Sequence, residues 1–170
     1  LMHPQDPVAP SDNYTRHKVE VEQALAASSI PWAVLRVGVS VDSRTLGADL
    51  SMMRKLFAVY PDNPLHYVHP RDVATAMANA INNPRAQNRI LLLGGGDDCR
   101  ITQHQFISAA INALGIQLPR DMLGSDRYYT SWMDTAESQD ILQFQNHSFA
   151  AYQADMRQRL RWLRPFLGPL

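Results

Sequence analysis

Two short apolar runs most narrow what this chain can fold into: W-A-V-L-R-V at residues 32–37 and R-I-L-L-L at residues 89–93. Both read as strands buried in a parallel sheet, where apolar residues follow one another instead of alternating with polar ones. A parallel pair needs a long crossover, usually helical, and the sequence between them supplies helices. Residues 14–27 read as a helix capped by Asp12 or Asn13. Residues 48–59 read as an amphipathic helix with Leu50, Met53, Leu56 and Phe57 on one face. Pro61-Asp62-Asn63-Pro64 is a turn, residues 66–69 a short strand, and Pro70 opens a helix to about Asn82. Beyond the second run, Gly94–Gly96 make a turn, and Thr102-x-x-Gln105 is a capping box that starts another helix. Two further helical stretches follow, at 134–143 and 147–163. The pattern is α/β, with a helix-rich end.

A chain of 170 residues, 45% hydrophobic and 19% charged, can bury one real core. Sixteen basic residues balance sixteen acidic ones, so no charge excess advertises nucleic acid. The single cysteine, Cys99, excludes an intrachain disulfide framework and a multi-cysteine zinc site, and fits a reducing, cytoplasmic setting. The apolar runs are too short to span a bilayer. The opening Leu1-Met2-His3-Pro4 lacks an initiator methionine at position 1 and does not read as a secretory signal. We therefore expect the later part of a longer polypeptide.

Tyr14 and Lys18, four residues apart, read by themselves either as an exposed helix face or as an acid–base pair. A spacing of four puts both on one helix face. A nearby ammonium favours phenolate over phenol, and a tyrosine tuned in that way can exchange a proton with a hydroxyl or carbonyl oxygen. Four stretches in order then resemble the extended short-chain dehydrogenase/reductase family, the NAD-dependent epimerase/dehydratases. They are P10-S-D-N-Y-T-R-H-K18, W32-A-V-L-R-V-G38, H66-Y-V-H-P-R-D-V-A74, and R89-I-L-L-L-G-G-G96 with Thr102 beyond. The stretch W132-M-D-T-A-E-S-Q-D-I-L-Q-F-Q145 resembles the tail region where the family has a Leu-Gly-Phe/Tyr-x-Pro pattern, with Gln143-Phe144-Gln145 as a loose match.

That resemblance implies the later part of a Rossmann-like doubly wound parallel sheet plus a small, mostly helical substrate subdomain. The 170 residues would form a single incomplete unit. Residues 1–40 and 66–96 would end the nucleotide-binding part, and residues 41–65 and 97–170 would shape the substrate side. It implies Tyr14 as acid/base and Lys18 as the group that bonds the nicotinamide ribose and tunes Tyr14. Gly38 and Val39, just past the strand arginine Arg36, would contact the nicotinamide. The cofactor would be NAD or NADP, held mostly by a part upstream of residue 1. The partner would be a small-molecule substrate, including a nucleotide sugar among the expected classes, with no nucleic acid and no membrane. A homodimer through Val21, Leu25 and the helix after Val73 is a further family expectation.

The glycines, at 38, 47, 94, 95, 96, 115, 124 and 168, build no dinucleotide-binding turn. The isolated chain is therefore expected to be inactive. Asp97 and Asp98 oppose a phosphate reading of Gly94–Gly96. His66-x-x-His69 on a strand would point to opposite faces, so both are expected to be structural and no metal is expected. Asp72 is expected to serve the positive end of its helix, and Cys99 to be inert. Family members that bind nucleotide sugars often carry an arginine just before the His-Val-x-Asp segment. Here those positions are Asn63-Pro64-Leu65-His66, with Arg44, Arg54 and Arg71 as conceivable substitutes. The function the resemblance implies first is that of an NAD(P)-dependent sugar or nucleotide-sugar epimerase, dehydratase or reductase; an NADP-dependent carbonyl reductase of the same fold and a non-catalytic nucleotide sensor are the alternatives.

Overall fold

The computed structural model describes residues 1–42, 50–128, 130–163 and 165. Arg44 and the start expected for a helix at 48–49 lie outside them. Helix α1 (Asn13–Ala26) starts where the Asp12 carboxylate accepts the Thr15 N–H at 2.7 Å and the Thr15 hydroxyl accepts the Asp12 N–H at 3.2 Å. Two orphan donors are satisfied reciprocally there. The chain continues through β1 (Ala33–Val37), α2 (Leu50–Ala58), β2 (Pro64–His66), α3 (Pro70–Ala80) and β3 (Arg89–Leu93). It ends with β4 (Arg100–Thr102), α4 (Gln103–Ala113), α5 (Ala136–Leu142) and α6 (Phe149–Leu160).

The two apolar runs pair in parallel, Ala33 opposite Arg89 through Val37 opposite Leu93. Leu91, Leu92 and Leu93 are fully buried, each side chain contributing roughly 1.5–3 kcal/mol of transfer free energy. The strand expected at 66–69 lies earlier. Residues Pro64–His66 pair antiparallel with β4, His66 opposite Arg100. A three-residue partner holding an arginine and a threonine carries no hydrophobic period, so β4 is silent in the sequence. Tyr67 then leaves β2 and bridges Val39, and His69 turns to cap α3 by accepting the Arg71 N–H at 3.1 Å.

Two cores form. Tyr67, Phe106, Phe149, Tyr152 and Met156 fill the space among β2, β4, α4 and α6. Tyr67 lies edge-on to Phe149 at 5.4 Å and 5.0 Å from Tyr152, within the range where ring pairs add to area burial. Val68, Leu91, Leu93, Ile141, Leu142 and Phe144 fill the second, between β3, α3 and α5.

Helix α5 ends at Gln143, whose backbone is left-handed (φ 48°, ψ 51°). That turn lets Leu142 and Phe144, both fully buried, enter the core on either side of it. Left-handed backbone costs a residue with a Cβ about 1 kcal/mol relative to glycine, and the Gln143 amide offsets part of this by donating to Gln139 O at 2.9 Å. Gln143→Gly is expected to raise stability by roughly 0.5 kcal/mol, and Gln143→Val to lower it by about 1–2 kcal/mol. Urea denaturation of both variants measures this, and a more stable valine variant contradicts it.

Candidate functional site

Tyr14, Lys18 and Glu22 follow one another at four-residue spacing along one face of α1. The Lys18 ammonium sits 5.3 Å from the Tyr14 ring centroid, within cation–π range. Tyr14 is 70% exposed. The other end of the stripe is clamped: Arg36 on β1 donates from Nε and Nη2 to the Glu22 carboxylate, at 3.0 and 2.6 Å. Arg36 also donates to Pro4 O at 3.3 Å. The arginine that the resemblance would set beside a nicotinamide pocket is thus occupied in holding α1 to the sheet.

Gly38 and Val39 are held by backbone. Gly38 N–H donates to Leu93 O at 2.9 Å, Val39 N–H to His66 O at 2.8 Å, and Val68 N–H to Val39 O at 3.0 Å. A Cβ on Gly38 would collide with the His66 carbonyl, and one on Gly94 with the His66 ring. His66 Nδ1 accepts the Met133 N–H at 3.1 Å, so Nε2 carries the proton and donates to Gly96 O at 3.0 Å. The structure joins Tyr14 to Lys18 and Gly38 to Val39. Among the described residues no hydrogen bond or ring contact links one pair to the other.

The remaining motifs are structural. Asp72 is fully buried in the first turn of α3, but its partners are remote. It accepts the N–H groups of Asn146 and His147, at 3.1 and 2.9 Å, and stands 2.6 Å from His147 Nδ1. It ties the loop before α6 as well as facing its own helix end. The spacing of His66 and His69 does not place them on one strand. His69 caps α3 and stacks on His147 at 4.4 Å. Gly95 N–H donates to Tyr67 O at 2.8 Å, which commits the glycine turn to packing. Cys99 is buried, and burial pushes its thiol up to about 11. Among the described residues no group of His, Cys, Asp or Glu side chains could hold a metal ion, and no helix is long and apolar enough to cross a membrane.

A cavity of about 630 Å³ opens beside Val39. Its lining includes Leu56, Leu65 and Phe106, with Met52, Lys55 and Arg127 around them. Of the methionine and phenylalanine positions on the second helix, only Met52 reaches it. Met53 lines a smaller groove of about 220 Å³, and Phe57 packs on the core. Arg54 and Arg71 do not line it. Lys55 and Arg127, which no motif marks, supply its positive charge.

This fold is the Rossmann-like fold of NAD-dependent epimerase/dehydratase enzymes. The chain superposes on a dTDP-glucose 4,6-dehydratase from Bacillus anthracis in complex with NAD with a TM-score of 0.71 at 13% identity, covering 96% of this chain and 56% of that one. A UDP-glucose 4-epimerase from Thermotoga maritima with UDP-glucose gives 0.71 at 15% identity, covering 95% and 57%. A UDP-glucose-4-epimerase from Stenotrophomonas maltophila with bound NAD gives 0.69 at 21% identity, covering 97% and 59%. In sequence, the chain is 28% identical over 134 residues to a (4-alkanoyl-5-oxo-2,5-dihydrofuran-3-yl)methyl phosphate reductase of Streptomyces griseus. That match takes in 78% of this chain and 46% of the reductase, so the chain spans about half the length of this relative. No family model matches the chain.

His66 and His69 give the site's scaffold an acid limit. Burial is the main force lowering both below the ordinary imidazole value of 6.5, with Arg100 adding to it for His66 and His147 for His69. A lowered folded-state value means the unfolded chain binds more protons below about 6.5. The stabilisation is complete above that pH and is lost as pH falls through the lowered folded values. Thermal melts from pH 8 to 5 are expected to show Tm falling on the acid side. His66→Gln, which keeps one donor and one acceptor, is expected to flatten that fall; an unchanged pH profile in this variant would exclude His66 as a source.

Proposed function

We propose that this chain is the later, substrate-side part of an NAD(P)-dependent oxidoreductase of the extended short-chain dehydrogenase/reductase family, acting at a carbonyl or secondary alcohol carbon. The observation that carries the reading is the pairing of Tyr14 with Lys18 on the exposed face of α1. In this reading residues 1–40 and 66–96 complete the nucleotide side, and residues 41–65 and 97–170 form the substrate side.

The residues present fit the nicotinamide-ribose end of the cofactor. Lys18 offers three N–H donors from a single ammonium, close to an exposed phenol, and Val39 stands at the edge of a cavity. They do not fit its pyrophosphate, since the glycine turn at 94–96 is packed against Tyr67 and Cys99 and is followed by two carboxylates. Lys18, Gly38 and Val39 would hold the nicotinamide end, and the cofactor supplies hydride acceptance or donation when bound. Tyr14 Oη gives or takes the proton of the substrate oxygen. Lys18 holds positive charge beside the ring that carries this hydroxyl. The chain alone is read as inactive, because the pyrophosphate site lies elsewhere.

Within the family, reduction of a carbonyl is favoured over chemistry on a nucleotide sugar. Leu65, nearly fully buried on the cavity wall, stands in the segment where an arginine would clamp a pyrophosphate. The sequence relative in Streptomyces griseus is itself a reductase. A cytoplasmic setting accords with one buried thiol, and pairing of two copies across α1 and α3 is the assembly this reading carries.

In the full-length protein, Tyr14→Phe is expected to lower kcat by roughly 10²–10⁴ with cofactor binding retained. Lys18→Met is expected to lower both. Glu22→Gln, which halves the Arg36 clamp, is expected to cost about 1–2 kcal/mol of stability. Steady-state kinetics with cofactor titration checks the first two. Unchanged turnover in Tyr14→Phe, with tight NAD(P) binding, overturns the enzymatic reading in favour of a nucleotide sensor.

A further inference from the structure

The cavity beside Val39 divides sharply into floor and rim. Its floor is apolar: Leu56, Val59, Leu65 and Phe106. The polar group deepest in it, Gln103, is 2% exposed; its Nε2 donates to Leu56 O at 2.7 Å and its backbone N–H to Asn63 O at 2.9 Å. A nucleobase or sugar placed on that floor would lose its water hydrogen bonds and find few in return, a cost of order 1–3 kcal/mol per group. The rim is charged. Lys55 and Arg127 line it as exposed cations that make no ion pair among the described residues, and Asp126 is the one carboxylate beside them. Two cations over an apolar pocket complement a molecule with an anionic head and a hydrocarbon body.

We propose that this cavity takes an acyl- or alkyl-chain anion, with the chain on the Leu56–Leu65–Phe106 floor and a single phosphate or carboxylate head between Lys55 and Arg127. The proposal names the substrate class for the function given above and rests on the cavity being that function's substrate side. It makes Leu65 and the Lys55–Arg127 pair the specificity-determining residues. Leu65 supplies hydrocarbon contact to the floor, and the cations fix the end at which the head lies. The head would sit at the mouth, leaving the body of the molecule to extend inward alongside Val39.

The test is calorimetric titration of the full-length protein, with NAD(P) present, using butyl, hexyl and octyl phosphate, octanol, inorganic phosphate and UDP-glucose. Affinity is expected to rise roughly threefold or more per added methylene. Octyl phosphate is expected to bind at least tenfold tighter than octanol or inorganic phosphate. Lys55→Gln/Arg127→Gln, two exposed positions, is expected to remove at least tenfold of the octyl phosphate affinity and leave octanol unchanged. UDP-glucose binding tighter than octyl phosphate overturns the proposal, as does octyl phosphate binding that ignores chain length or the double variant. The same titrations on Tyr14→Phe keep the two readings apart. Chain-dependent binding without Tyr14-dependent turnover sinks the catalytic reading alone. Tyr14-dependent turnover of a neutral or nucleotide-sugar substrate, without octyl phosphate binding, sinks this one alone.

Discussion

The structure turns on His66, a neutral imidazole wedged between two strand ends. Its carbonyl lies against Gly38 and its ring against Gly94, the residues that follow β1 and β3. Neither site has room for a Cβ. Both ring nitrogens are used, one accepting from Met133 and the other donating to Gly96, so the ring has one tautomer and one orientation. A buried imidazole with both nitrogens satisfied avoids the penalty of an unpaired polar group. It also fixes the separation of the parallel pair at the end where Gly38 and Val39 sit. The close approach of backbone to backbone there explains the glycines at 38 and 94 by packing, without a phosphate.

From this wedge the rest follows outward. Tyr67, the next residue, donates to Cys99 O and accepts from Gly95 N–H, and its ring enters the aromatic core of α4 and α6. Val68 reaches the second core under α3 and α5. His69 then caps α3, and Asp72 in the first turn of that helix binds the loop before α6 through three donors. A segment of seven residues thus touches both sheets, both cores and the late loop. Its resemblance to a family signature is explained by this density of contacts more than by catalysis.

Much of the fold was legible because its signals are local. The capping boxes at Asp12 and Thr102 set the starts of α1 and α4, and continuous apolar runs marked β1 and β3. The end of α5 was not announced in that way: Gln143 stops it in left-handed backbone without being a glycine. What was not legible depends on partners distant in sequence. β4 has no period of its own and exists because β2 lies beside it. The long-range role of Asp72 needs Asn146 and His147, over seventy positions away. At the candidate site, the Tyr14–Lys18 spacing was readable from helix geometry. The diversion of Arg36 to Glu22, and the meeting of Lys55 with Arg127 at one cavity, were not, because neither follows from a local period.

The two halves of the candidate site are held by different physics. Gly38 and Val39 are fixed by backbone hydrogen bonds and close packing around His66, inside a sheet. Tyr14 and Lys18 ride on a helix that buries none of its residues. That helix has little apolar burial to resist local opening, so its position rests heavily on the half-buried Glu22–Arg36 pair, with side chains about one-fifth exposed. A bidentate carboxylate–guanidinium contact fixes angle as well as distance, which is what a helix needs to keep its stripe turned one way. Arg36 is therefore a positioning residue for this helix: it contacts Glu22 and Pro4, and neither Tyr14 nor Lys18.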